Sequence, residues 1–183
     1  MIYFTSDLHF CHDRQFIYGP RGFNSIQEHD ETIVKNWNSI IQSDDTVYIL
    51  GDLILNNNEK GIEYLRQLNG FKFFVRGNHD TDNRKQLYQD NGILFLGDAH
   101  YMKYNGYHFY LSHYPALTGN LEKESLKQMT LNLFGHTHQK DKFYEDRPYM
   151  YCVGLDAHNC FPVSIDTVIE DMKAKANECL KML

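Results

Sequence analysis

The sequence predicts an α/β chain with a mixed sheet, or with two packed sheets and helices outside. Three observations lead there. Short apolar runs alternate with helix-period segments through the first half, and strand-like runs dominate the second. Aromatic residues make up 14% of the chain, which suits a sheet-rich, well-buried fold. With 183 residues the chain is long enough for one sizeable core and too short to suggest two full domains, so a single domain over 1–183 is expected.

The elements follow in order. "MIYFTSD" reads as a short buried strand. "NSIQEHDETIVKNWNSII" reads as a helix, because Ile26, Ile33, Trp37 and Ile40 fall near one face and Ser25 can cap it ahead of Glu28. "DTVYILGD" is a second apolar strand, and "NEKGIEYLRQLNG" a helix ending at Gly70. "FKFFVRGN" is a third strand, with a helix following over "DNRKQLYQDNG". "ILFLGDAHYMKYNGYHFYLSHYP" alternates into strands around Asn105-Gly106, a strong hairpin signal. "LEKESLKQ" (121–128) is expected as a short helix, "TLNLFGHTH" as strand into loop, "PYMYCVGLD" as strand, and "DTVIEDMKAKANECLKML" (166–183) as a closing helix.

Composition narrows the function classes. A net charge of -6 gives no bulk electrostatic grip on nucleic acid or anionic membrane. Cys11, Cys152, Cys160 and Cys179 lack CxxC spacing, which argues against a disulfide framework or a thiolate zinc site and for idle thiols in a reducing compartment. The chain opens directly on "MIYFTSD", and no run is long and apolar enough to span a membrane, so a soluble cytoplasmic protein is expected.

Polar residues collect at strand ends. "IYFTSDLH" ends in Asp7 and His9, "VYILGD" in Asp52, and "FKFFVRGNHD" in Asn78, His79 and Asp80. "YHFYLSHYP" gives His113, and "LNLFGHTH" gives His136 and His138. In open α/β sheets ligands bind outside the carboxyl ends of the strands, so these five ends can converge on one crevice. Two carboxylates, four imidazoles and one amide oxygen form an N/O set without sulfur, suited to Mn, Fe or Zn and too imidazole-rich for Ca or Mg. In a fully extended strand, Asp7 and His9 would share a face, as would His136 and His138. Seven ligands exceed what one zinc takes, whereas two metals sharing a carboxylate use them all.

"DLH", "GD", "GNHD", the His of "SHYP" and "GHTH", in that order, resemble the motifs of the calcineurin-like metallophosphoesterases. "VGLDAHNCFPVSIDTVIED" also looks like the closing strand and helix of small bacterial and phage members. The resemblance implies two mixed sheets packed face to face in a four-layer α/β/β/α sandwich. It implies two divalent ions, Mn favoured for activity. Asp7, His9 and His138 would hold the first, Asn78, His113 and His136 the second, and Asp52 would bridge. A metal-bridging water would attack phosphorus in line, and His79 would protonate the leaving alkoxide as general acid. The substrate would be a small phosphomonoester or phosphodiester, with a phosphodiesterase on a small or nucleotide substrate expected.

Departures from the family narrow this reading. The serine/threonine phosphatase branch carries GDxxDRG, but here "GDLILNN" puts Leu55 at the second Asp, followed by Asn56 and Asn57. The branch's acid-orienting Asp and a substrate Arg are therefore missing. Cys11 stands where similar small proteins often have Gly. A catalytically silent metal-binding scaffold for protein partners is the competing class; its sign would be loss of His79 or of ligands, and all are present. A different metallohydrolase is disfavoured because the HxHxDH pattern is absent and "HTH" comes late.

The remaining polar residues are weighed singly. Asp80 is expected to fix the loop or a neighbouring His. Arg14, Arg21 and Arg84 lie near the motifs as phosphate contacts or ordinary exposed arginines. Arg76 is read as a structural ion pair, and Asp156 and Asn159 as structural hydrogen bonders flanking the site. His12 is either rim or loop decoration. His29, His100, His108 and His158 are read as non-ligand histidines.

Overall fold

Two mixed sheets pack face to face in the computed structural model, which describes residues 1–123 and 125–181. The first has the order β4-β3-β2-β1-β9. In it β1 (Ile2–Thr5), β2 (Thr46–Ile49), β3 (Phe71–Phe74) and β4 (Leu94–Phe95) run parallel, and β9 (Val163–Ser164) runs antiparallel to β1. The second has the order β5-β6-β7-β8. The hairpin of β5 (Ala99–Tyr104) and β6 (Tyr107–Ser112) turns at Asn105-Gly106, and β7 (Thr130–Phe134) and β8 (Met150–Cys152) continue it in parallel.

Alternation along β2 sets the layers. Val47 and Ile49 face the helices α2 (Ile26–Ile40), α3 (Asn58–Gln67) and α4 (Asp82–Asp90), meeting Ile33, Trp37, Ile62, Leu65 and Tyr88. Tyr48 and Leu50 face the other way, into a second cluster with Phe4, Phe109, Leu111, Leu131, Leu133 and Tyr151 between the sheets. Helix α5 (Ile165–Lys181) joins that cluster through Val168 and Met172. Its Asp171 accepts from Tyr151 Oη at 2.5 Å and from Lys142 Nζ at 2.8 Å, which ties it to the second sheet. Helix α1 (Gln15–Tyr18) is a single turn after the first motif.

Local signals account for most boundaries. Ser25 caps α2 by accepting from Glu28 N at 3.2 Å, and Glu28 reaches back to Asn24 N at 2.9 Å. Helix α3 stops at Gln67, short of the expected Gly70, because Asn69 is held by Asn38 and Ile41; Gly70 then turns into β3 with φ of +82°. The helix expected over 121–128 does not form. Residues 121–123 and 125–128 make isolated turns, with Lys123 N to Asn120 O and Gln128 N to Ser125 O, and Glu124 lies outside the described residues. So short a run buries too little apolar surface to offset helix nucleation. The closing helix appears as α5, the last two positions of its expected span lying outside the described residues.

Cys11, Cys152, Cys160 and Cys179 are free thiols. No helix among the described residues is long and apolar enough to cross a membrane. Arg76 pairs with Asp82 at 3.0 Å and Asp98 at 3.4 Å, the structural ion pair expected of it.

Of the non-ligand histidines, His29 is fully buried and His158 partly so. His158 Nε2 donates to Cys152 O at 2.8 Å, and His29 sits on the inward face of α2. Burial holds both imidazoles below their ordinary range. Such a group binds fewer protons folded than unfolded once pH drops below about 6.5, so its contribution to stability is lost on acidification through that value. Relative to a His29→Gln, His158→Gln double variant, chelator-treated protein unfolded in urea should lose stability from pH 7 to pH 5. Each proton of difference adds a slope of about 1.4 kcal/mol per pH unit. A rise over that window would refute the assignment of neutral, buried imidazoles.

Candidate metal centre

Every expected site residue lies just past a strand end, and the strands bearing them run parallel within each sheet. Asp7 and His9 follow β1, Asp52 follows β2, Asn78 and His79 follow β3, His113 follows β6, and His136 and His138 follow β7. The two sheets are joined at this edge. His113 Nδ1 donates to Leu50 O at 2.8 Å, and His136 N donates to Asp7 Oδ2 at 2.9 Å. Ser6 Oγ bonds the same Asp7 oxygen, and Ser6 pairs with Gly154 in a single parallel bridge.

The residues converge, though not by extended pairing. Asp7 (φ 58°), His9 (φ 50°), Asp52 (φ 58°), His136 (φ 67°) and His138 (φ 49°) are all left-handed, so the same-face rule for i and i+2 does not apply. Each segment kinks at a ligand position, which costs backbone energy and aims the side chain back over the strand ends. Cys11 is also left-handed at φ 63°, a conformation glycine adopts freely and the physical reason Gly suits that position. Burial pushes the Cys11 thiol up to about 12, so it is unreactive.

Ligand atoms of Asp7, His9 and His138 lie within 4.8 Å of one another, as do those of Asp7, Asp52 and His113. Asp52 Oδ2 sits 3.8 Å from His9 Nε2 and 3.6 Å from His113 Nε2, between the two groups. Asn78 Oδ1 lies 2.8 Å from His113 Nε2 and 2.9 Å from His136 Nδ1. His9 Nε2 faces His138 Nε2 at 3.2 Å, and both are 3.8 Å from Asp7 Oδ1.

These atoms fit cations. His113 donates from Nδ1 to a carbonyl, so its Nε2 presents a lone pair to the acceptor Asn78 Oδ1. His138 Nδ1 lies 3.0 Å from an Asp156 oxygen and donates there, leaving its Nε2 as an acceptor too. Asp7 Oδ1 is buried without a hydrogen-bond partner among the described residues. Acceptors facing acceptors favour a cation between them, most of all at the buried Asp7 Oδ1, and an N/O set of this kind suits a divalent metal.

Burial is the largest influence on the ionisable groups here. Burial pushes Asp52 up to about 6, partly opposed by His113 and by the His79 N–H. Burial, then the neighbouring cationic groups, holds His9 well below the usual imidazole range; the same causes lower His136 and bring His12 to about 4. Burial also opposes the His138 imidazolium, but the Asp156 hydrogen bond and the charges of Asp7 and Asp156 outweigh it and raise its pKa.

A supporting layer surrounds these residues. Asp80 accepts from Asp52 N (2.8 Å), Gly77 N (2.9 Å), Leu53 N (3.3 Å) and Tyr88 Oη (3.0 Å), fixing the loop as expected. Arg84 holds His79 O at 2.7 Å and Asn58 Oδ1 at 3.1 Å. Arg21 is buried on Asp156 and His29 rather than offered to substrate, while Arg14 is exposed. His12 lines the site beside His9 and His79, with ring centroids 5.2 and 6.1 Å away. Asp30 went unassigned from the sequence, and His29 was read only as a non-ligand histidine; their signal was a polar pair on the apolar stripe of α2, in line with Ile26, Ile33 and Trp37.

Glycine at 135 is dictated by contact. A Cβ there would lie 2.5 Å from Asp7 Oδ2 and strike Ser6 Oγ. Gly135→Ala should therefore cost about 1–3 kcal/mol in unfolding free energy and weaken Mn binding measured by calorimetry. Parent-like values of both would show that the two sheets are not locked at this point.

Known proteins give the same picture. The model of the calcineurin-like phosphoesterase superfamily domain matches residues 1–155. MJ1445 of Methanocaldococcus jannaschii is 33% identical over 180 residues, covering 92% of this chain and 89% of its own. The Gene 66 protein of Mycobacterium phage D29 is 28% identical, covering 88% and 92%. The crystal structure of AQ665 from Aquifex aeolicus superposes with a TM-score of 0.71 at 25% identity, over 93% of this chain and 98% of that one. On this match and on the strand-end histidines and carboxylates, the chain belongs to the calcineurin-like phosphoesterase superfamily.

Proposed function

We propose that the chain is a dinuclear metal-dependent phosphoesterase, acting as a phosphodiesterase on a small or nucleotide substrate and built as one domain over residues 1–183. Asp7, His9 and His138 would hold one divalent ion, and Asn78, His113 and His136 the other, with Asp52 shared. The observation that carries this is the position of Asp52 Oδ2 between His9 Nε2 and His113 Nε2, in a pocket whose facing atoms are acceptors. Bound ions of this kind, Mn favoured, polarise a phosphoryl oxygen and lower the pKa of coordinated water to about 7.

The chain's own residues supply the rest. His79 projects from a backbone held at both ends, by its N–H to Asp52 Oδ1 at 2.9 Å and by Arg84 on its carbonyl at 2.7 Å. Its half-exposed ring can give a proton to the departing oxygen. Arg21 and Arg84 both engage the protein, which leaves fewer cations for a dianionic monoester and favours a monoanionic diester. Metal analysis of purified protein, with rates on bis(p-nitrophenyl) phosphate, p-nitrophenyl phosphate and a cyclic nucleotide in added Mn, tests the reading. Two ions per chain and faster diester turnover are expected. Two bound ions with no turnover on any phosphoester would sink it.

A further inference from the structure

We infer that Arg21 and Asp156 form a positioning clamp that sets the affinity of one ion site, by fixing the His138 tautomer and the Asp7 backbone together. The inference rests on the reading that Asp7, His9 and His138 hold a divalent ion. Arg21 has a side chain 1% exposed and Asp156 one 7% exposed. The guanidinium grips the carboxylate along one edge, Nε to Oδ1 at 3.1 Å and Nη2 to Oδ2 at 2.7 Å. Nη2 also donates to Asp7 O at 2.9 Å, and Nη1 to His29 Nε2 at 2.9 Å. His29 in turn donates from Nδ1 to Asp30 Oδ1 at 2.8 Å, and Asp30 Oδ2 accepts from Cys11 N at 2.9 Å.

The network reaches two ligands by different routes. A carboxylate only accepts, so the 3.0 Å contact of Asp156 Oδ2 with His138 places the proton on Nδ1 and turns the Nε2 lone pair toward Asp7 Oδ1. The Asp7 carbonyl, on a left-handed residue, is held by the same guanidinium. Arg21 neutralises Asp156, so the support adds no net charge beside the ion. Lysine would supply the charge without the fork, and could not hold Asp156 and Asp7 O at once.

Two measurements test the clamp. In chelator-treated parent protein, nitrogen-15 spectra of the histidine rings should show His138 carrying a proton on Nδ1; a ring protonated on Nε2 alone overturns the proposal without any variant. In calorimetric titration with Mn, Asp156→Asn should weaken one of two ions by about 10–100-fold and leave the other unchanged. Arg21→Lys should weaken the same ion. If either variant only melts earlier while both ions bind as in the parent, the residues serve the fold alone and the clamp is wrong. A parent that binds no Mn overturns the metal reading and the clamp with it, whereas two ions bound by the variants with the parent's affinities overturns the clamp only.

Discussion

Asp52→Ala should abolish both metal retention through gel filtration and turnover of bis(p-nitrophenyl) phosphate. The expectation follows from where one oxygen sits. Asp52 Oδ2 lies 3.8 Å from His9 Nε2, 3.6 Å from His113 Nε2 and 4.0 Å from His79 Nε2, so a single carboxylate faces both candidate ligand groups and the His79 ring. Removing an outer-shell partner costs about 10–100-fold in metal affinity or activity, and loss of a shared ligand should exceed that. Asp52→Asn separates charge from shape. Its amide oxygen can still accept from His79 N, the contact Asp52 Oδ1 makes at 2.9 Å, so the metal-free variant should melt no lower than the parent. It should nonetheless lose the ions. Retention of two ions by Asp52→Asn would remove the shared-ligand role, and with it the dinuclear proposal.

The site was legible in the sequence because each contributing segment repeats one arrangement, an apolar strand followed at once by His, Asp or Asn. Parallel strands then bring those ends to one edge without further information. The two-sheet order was less legible. β9 pairs two residues with β1 from the far end of the chain, and β4 is equally short, so neither leaves a period to read. The local geometry of the ligands was misjudged because spacing of two suggests extension, while Asp and His are among the residues that enter the left-handed region more readily. Hydrogen bonds from neighbouring strands stabilise those kinks: Asp7 N donates to Gly51 O and His9 N to Asp52 O, both at 3.0 Å. Such contacts exist only after folding. The Arg21–Asp156 pair is hidden for the same reason, its partners standing 135 residues apart.

The packing also fits the proposal of an anion site in an acidic chain. The charge of -6 is spread over the chain, whereas the candidate ligand set gathers four imidazoles and an amide against two carboxylates. In the proposed centre Asn78 would be a neutral ligand, where an Asp would cancel a further unit of the ions' charge. The net charge that argues against nucleic-acid backbones therefore says nothing against a small phosphoester in the crevice.

His79→Ala should slow hydrolysis of esters with alkoxide leaving groups by on the order of 10²–10⁴, and should slow p-nitrophenyl esters far less. The asymmetry follows from the chemistry of departure. An alkoxide needs a proton as the bond to phosphorus breaks; p-nitrophenolate leaves without one. The geometry makes His79 the candidate, since its ring is 43% exposed and lies 5.8 Å, centroid to centroid, from the His9 ring. Its backbone is fixed, so replacing the ring should leave the ions in place. Metal content equal to the parent's is thus part of the expected result and separates this variant from Asp52→Ala. His12, 6.1 Å from His79, is held largely neutral by burial and is a poor substitute as proton donor, so rescue from that side is not expected. Equal losses for both leaving groups at full metal content would assign His79 to charge stabilisation of the phosphoryl group instead. A loss confined to poor leaving groups admits only proton transfer at the departing oxygen.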